Sequence, residues 1–151
     1  MTKKYQSGQT LIEVILVTVI VATVLTALAA SVSMSSKNTN ENKKLSVATS
    51  LVQETLEVFH RERYSLGWGT FQSALSDATY CFNTLPTNST DFIDSTPGEC
   101  IDGDVIVGTN YQREAVLTVL ADEVMVVSTV TWMDGELEKQ VEAEQTFKEI
   151  N

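Results

Sequence analysis

A run of 23 residues, Thr10 to Val32, holds one charged side chain, Glu13, and this run limits what the chain can fold into more than any other feature. About 20 apolar residues suffice to cross a bilayer as a helix. Thr18, Thr23 and Thr26 do not oppose a helix in lipid, because a helical threonine returns its hydroxyl hydrogen bond to a carbonyl one turn back. Lys3 and Lys4 precede the run without a compensating acid. The positive-inside bias therefore places the N-terminus in the cytoplasm and residues from 37 onward outside.

The charge distribution fits that division. Gln9 to Ser36 contains one charge, whereas Gly67 to Asn151 contains 15 acids and three bases, Arg113, Lys139 and Lys148, a net of −12. A mean hydropathy of +0.01 is thus an average over two solvents. The 85 residues from Gly67 are enough for one small core, since domains of about 60 residues can fold alone. So acidic a surface lacks the Lys and Arg clusters that replace counterions on a nucleic-acid backbone, and direct nucleic-acid binding is not expected.

Three readings of the apolar run compete. An ordinary secretory signal would use Ala27-Leu28-Ala29 as its small-residue cleavage site. A plain anchor would need nothing more. Both leave Glu13 unexplained, because a charge within an apolar span costs about 2.5 to 3.5 kcal/mol on insertion scales. The third reading rests on Lys3-Lys4-Tyr5-Gln6-Ser7-Gly8-Gln9-Thr10-Leu11-Ile12-Glu13-Val14. This stretch resembles the class III signal of type IV prepilins and pseudopilins, in which a short basic leader ends in Gly ahead of Thr-Leu-Ile-Glu and an apolar run. The resemblance implies cleavage between Gly8 and Gln9 by a membrane aspartic prepilin peptidase, and N-methylation of the new amine at Gln9. Gln9 stands where the family usually has Phe. Glu13 occupies the fifth position after the cut, where the family places its glutamate.

The spacing also has a physical rationale of its own. Cleavage frees a cation at Gln9, about one helical turn from Glu13, and a buried carboxylate is tolerated when an opposite charge lies within roughly 4 to 6 Å. In a stack of parallel helices displaced along their axis, a neighbour's amine serves as well. Glu13 is then an assembly residue that sets register.

The rest of the chain reads as an α+β head. Ser33 to Lys44 is polar, a linker or a loosened stretch of helix. Leu45, Ala48, Leu51, Val52, Leu56 and Phe59 form a helical stripe fit to face a core, with Glu57 and Arg61 as an i, i+4 pair. In pilin-like proteins one long helix carries both span and scaffold, and the resemblance implies the same here. Phe71 to Tyr80 suits a short helix or irregular segment, and residues 81–110 a loop with a short strand at Asp104 to Val107. Arg113 to Leu120, Glu123 to Met133 and a return strand from Leu137 are Val- and Thr-rich, with Asp134-Gly135 as a two-residue turn. These predict three or four antiparallel strands packed on the outer half of the helix, one face buried and the other acidic. The expected divisions are 1–8 leader, 9–34 membrane and assembly helix, 35–66 outer helix and 67–151 head.

Candidate chemistry is sparse. Cys81 and Cys100, with 18 residues between them, are an even count in an oxidising compartment, which favours a disulfide over two buried thiols or a metal site. Asp91, Asp94, Glu99, Asp102 and Asp104 could supply oxygen ligands, and some pseudopilins bind calcium in their C-terminal loops. The EF-hand spacing is missing, however, and a solvated acidic loop is the better reading. His60 has no nucleophile partner, and Trp68 and Trp132 read as core or rim aromatics. With no phosphate-binding glycine pattern, zinc signature or nucleophile elbow, neither enzymatic activity nor a cofactor is expected.

The favoured expectation is a minor pilin or pseudopilin of the inner membrane. Its partners would be the prepilin peptidase and N-methyltransferase, other pilins in the filament, the inner-membrane assembly platform and the bilayer. Within that class, a type II secretion or DNA-uptake subunit is the alternative. From a different class, the alternative is a secreted adhesin-like domain released after Ala29.

Overall fold

The computed structural model describes the backbone of residues 6–101 and 103–149, and side chains from Leu11 onward. The chain forms two compact units, residues 1–43 and 44–151. Helix α1, Gln6–Leu66, is helical throughout and supplies the described part of the first unit and the beginning of the second. The polar stretch from Ser33 to Lys44 is helical too, with the Thr39 hydroxyl donating to the Ser35 carbonyl at 2.8 Å. Weak intrinsic propensity is overridden by helix on both sides.

In the first unit the most apolar stretch of α1 is wholly unburied by the chain itself. Its threonines are satisfied locally: Thr18 donates to Ile15 O at 2.8 Å, Thr23 to Ile20 O at 2.8 Å and Thr26 to Thr23 O at 2.9 Å. No side-chain hydroxyl of these three needs water, as a helix in lipid requires.

In the second unit α1 is followed by α2 (Trp68–Ser73), β1 (Ala78–Cys81), α3 (Ser89–Ile93), β2 (Tyr111–Val119), β3 (Glu123–Asp134) and β4 (Leu137–Lys148). The strands form one antiparallel sheet in the order β1-β2-β3-β4. The outer part of α1 packs on it through Ala48, Val52, Thr55, Val58, Phe59 and Glu62, all buried. Leu45, expected on the stripe, is 47% exposed, because the inward face of the helix begins one turn later at Ala48. Arg61 donates to its neighbour Glu62 at 2.7 Å and to Pro86 O at 2.9 Å, in place of the expected pair with Glu57.

Two apolar clusters join helix to sheet. One sets Ala48 and Val52 against Tyr111, Val130 and Trp132. The other centres on Phe59, whose ring lies 5.7 Å from Phe82, 5.4 Å from Phe92 and 6.4 Å from Phe147. The short helices α2 and α3 deliver Phe71 and Phe92 to that centre, stacked at 5.9 Å. Helix α3 starts where the Asn88 side chain accepts the Asp91 backbone N–H at 2.9 Å, an N-cap.

Three sequence expectations change. Asp104 to Val107 is not a strand: the Ile106 N–H bonds to Tyr111 O at 2.8 Å and the chain turns at Gly108, whose φ is +78°. The fourth strand is Ala78–Cys81, paired with Leu117 to Glu114 of β2. The β3–β4 turn is shifted by one residue, since Asp134 pairs with Leu137 and leaves Gly135-Glu136 as the loop. Gly135 alone takes positive φ, +70°, which is the type II′ pattern with glycine first. The outer sheet face is also not uniformly acidic: its middle carries Val116, Met125 and Val127, while Glu138, Glu142 and Glu144 line up on β4.

Phe59 touches three other aromatic rings and is fully buried, so Phe59→Ala is expected to cost about 3 to 5 kcal/mol. Thermal unfolding of the detergent-extracted chain measures this; an unchanged midpoint would contradict the placement of Phe59 at the core centre.

Candidate processing and assembly site

Gly8, Gln9 and Glu13 lie on the first turns of α1. Residues 1–5 of the expected leader, and the side chain of Gln9, fall outside the described residues. Helical geometry sets Gln9 and Glu13 four residues and about 6 Å of rise apart, on one face. Glu13 is exposed, flanked by Leu11, Ile12, Val14 and Ile15, each more than half exposed. The rest of the chain leaves it uncovered. Its nearest covalently placed cation is the amine that a cut before Gln9 would create. That cut would also make Gln9 the helix end, where unpaired N–H groups favour an anion nearby.

The head is tied together by ionic contacts that the sequence did not announce. Arg113 is 3% exposed, and its guanidinium donates to Phe82 O at 2.8 Å, to Leu51 O at 3.3 Å and to Glu54 at 2.9 Å. Burial pulls its pKa below the ordinary value, and the bond to Glu54 works against that. The alternation Tyr111, Arg113, Ala115, Leu117 along β2 was the available signal, for it puts Arg113 on the inward face. Glu62, also buried, accepts from Arg61 and from the Ser89 hydroxyl, and so ties α3 to the helix. At the other end of the sheet Asp134 accepts from Lys44 at 2.7 Å and pairs with Lys139 at 3.0 Å. Those two bonds hold the Asp134 carboxyl below the usual aspartate value.

Cys81 and Cys100 are joined as a disulfide, with Cα atoms 4.8 Å apart. The bridge links the end of β1 to the loop that precedes β2, and Cys100 N–H donates to Glu114 at 2.6 Å beside it. Asp91 is engaged at the start of α3, accepting from Thr87 and Asn88 at 2.9 Å each. Among the described residues no three His, Cys, Asp or Glu side chains converge on a metal-sized site; Asp102 lies outside them. His60 is exposed, stacked on Tyr64 and set edge-on to Phe147 at 5.0 Å, with Gln145 in contact. Trp132 is in the core, and Trp68 lies half-buried under the Arg63 guanidinium at 5.7 Å.

Two outcomes follow for the head. A depressed carboxyl stabilises the fold above its unfolded pKa of about 3.9 and loses that contribution as pH falls through the lower folded value. Asp134→Asn should thus lower the thermal midpoint at neutral pH, with the two proteins converging in strong acid; a constant difference down to that range would contradict the ion pairs. Peptide mapping without reductant should recover Cys81 linked to Cys100, and Cys81→Ser should lower stability by about 3 kcal/mol on the chain-entropy account. Free thiols at both positions would overturn the bridge.

Residues 3–29 match the model of the prokaryotic N-terminal methylation motif. No curated protein and no solved structure matches the chain. The motif is the class III signal of type IV pilins, and a long N-terminal helix packed against a four-stranded antiparallel sheet is typical of the pilin fold. Together they support a type IV pilin-like family for this chain.

Proposed function

We infer that the chain is a minor pilin or pseudopilin, a structural subunit and not an enzyme. Residues 1–8 form its leader, 9–34 its membrane and assembly helix, 35–66 the outer helix and 67–151 the head. Prepilin peptidase cuts between Gly8 and Gln9 and the Gln9 amine is methylated. The mature chain is held in the inner membrane with its N-terminus cytoplasmic until the assembly platform moves it into a filament with other pilins. The observation that carries this reading is the joint spacing of Gly8 and Glu13 within a matched motif, at the head of a helix whose apolar stretch the chain leaves bare.

In the filament Glu13 meets the Gln9 amine of an adjacent subunit. Parallel helices with identical stripes form a heterologous, open stack, in which each new subunit repeats the contact. The pair offsets an insertion cost of about 2.5 to 3.5 kcal/mol, a factor of about a hundred in an equilibrium. Glu13→Ala should therefore leave cleavage intact but lower the share of the chain in sheared filaments by at least about tenfold. Wild-type incorporation of this variant would sink the assembly role.

A further inference from the structure

Strand β4 is the long edge of the sheet, laddered with β3 alone; helix α1 reaches its end where Arg63 donates to Lys148 O. Its outward residues include Glu138, Glu142 and Glu144, all exposed. At about 3.3 Å per residue these carboxylates span about 20 Å. The base on the same face, Lys148, is already bound to Glu123 at 2.9 Å, and Lys139 alternates to the other face, toward Asp134. A row of like charges on an edge blocks pairing with a second identical edge. It leaves the edge open to a surface of opposite sign.

The chain itself carries such a surface. Residues 37–44 hold Lys37, Lys43 and Lys44 against one acid, Glu41, whereas the head carries a net of −12. Lys44 already meets the hairpin acid Asp134 at the foot of β4, so a lysine of this segment and the acidic hairpin are matched chemically within one subunit. Lys37 and Lys43 are exposed. They lie about 9 Å apart along a helix, within the length of the carboxylate row, and their flexible arms take up the remaining mismatch.

We propose that the β4 edge of one subunit, through Glu138, Glu142 and Glu144, receives the Lys37–Lys43 segment of a second copy of this chain. The proposal rests on the assembly reading above, because helices displaced along a common axis bring different patches of successive copies together. It adds a second contact to the one at Glu13, outside the bilayer and sensitive to salt. At 0.15 M ionic strength the screening length is about 8 Å, and at 1 M about 3 Å, so close pairs survive the first better than the second.

The test uses the full chain in cells that make no wild-type copy. A Lys37→Glu/Lys43→Glu double variant and a Glu142→Lys/Glu144→Lys double variant should each be processed and keep the thermal midpoint of the head. Each alone should fall about tenfold in the sheared-filament fraction, and the chain with all four substitutions should recover to within about twofold of wild type. Wild-type incorporation of either double variant overturns the proposal. Loss without recovery in the fourfold variant also overturns it, since the partner of the edge is then another protein. Glu13→Ala, run in parallel, separates the two levels: if it too incorporates normally, the assembly reading fails, and if it alone is lost, only the β4 contact fails.

Discussion

In hydrocarbon a backbone N–H or C=O has no water to bond, so a segment that enters lipid must satisfy its own groups as a helix. The apolar part of helix α1, from Leu11 to Val32, meets that requirement. The threonines fold their hydroxyls back onto Ile15, Ile20 and Thr23, and the surface of the segment is left apolar and bare. Glu13 is the exception that the requirement makes costly. On the proposed reading a carboxylate there is offset by a cation, and the cation that the covalent chain would place four residues away is an amine freed at Gln9.

The same helix then changes solvent and task. From Ala48 to Glu62 one face is buried against the sheet, with small Ala48 beneath Tyr111 and Trp132 and large Phe59 among Phe71, Phe82, Phe92 and Phe147. A head of this size has little core to spare, and two short helices exist mainly to bring one phenylalanine each to Phe59. The polar links join helix, loops and hairpin: buried Arg113 with Glu54, buried Glu62 with Ser89 and Arg61, and Asp134 with two lysines. They fix how the loops and the hairpin lie on the helix, while burial of the aromatic rings supplies the larger share of stability.

What the sequence disclosed depended on how local the cause was. The apolar run, the outer helix closing at residue 66 and the Val- and Thr-rich strands after Arg113 are local patterns, and each was legible. Strand β1 was not, because Ala78 to Cys81 is four residues long and becomes a strand only through its pairing with β2. The hairpin turn was misplaced by one residue because Asp-Gly fits a type I′ loop, whereas the pairing of Asp134 with Leu137 puts Gly135 first in a II′ loop. Buried Glu62 is held partly from afar: beside its neighbour Arg61, its hydroxyl donor is Ser89, 27 residues away, which no local pattern displays. At the N-terminus the reverse holds, since Gly8, Gln9 and Glu13 act through spacing along the chain, which sequence displays directly.

The central claim is that Gly8 is a cleavage site and that Gln9 begins the working protein. The mass and N-terminal sequence of the chain extracted from membranes test it most directly. The account predicts a start at Gln9, with a methyl group on its amine and Glu13 as the fifth residue. A start near Ala30, or a chain that retains Lys3 and Lys4, would contradict it.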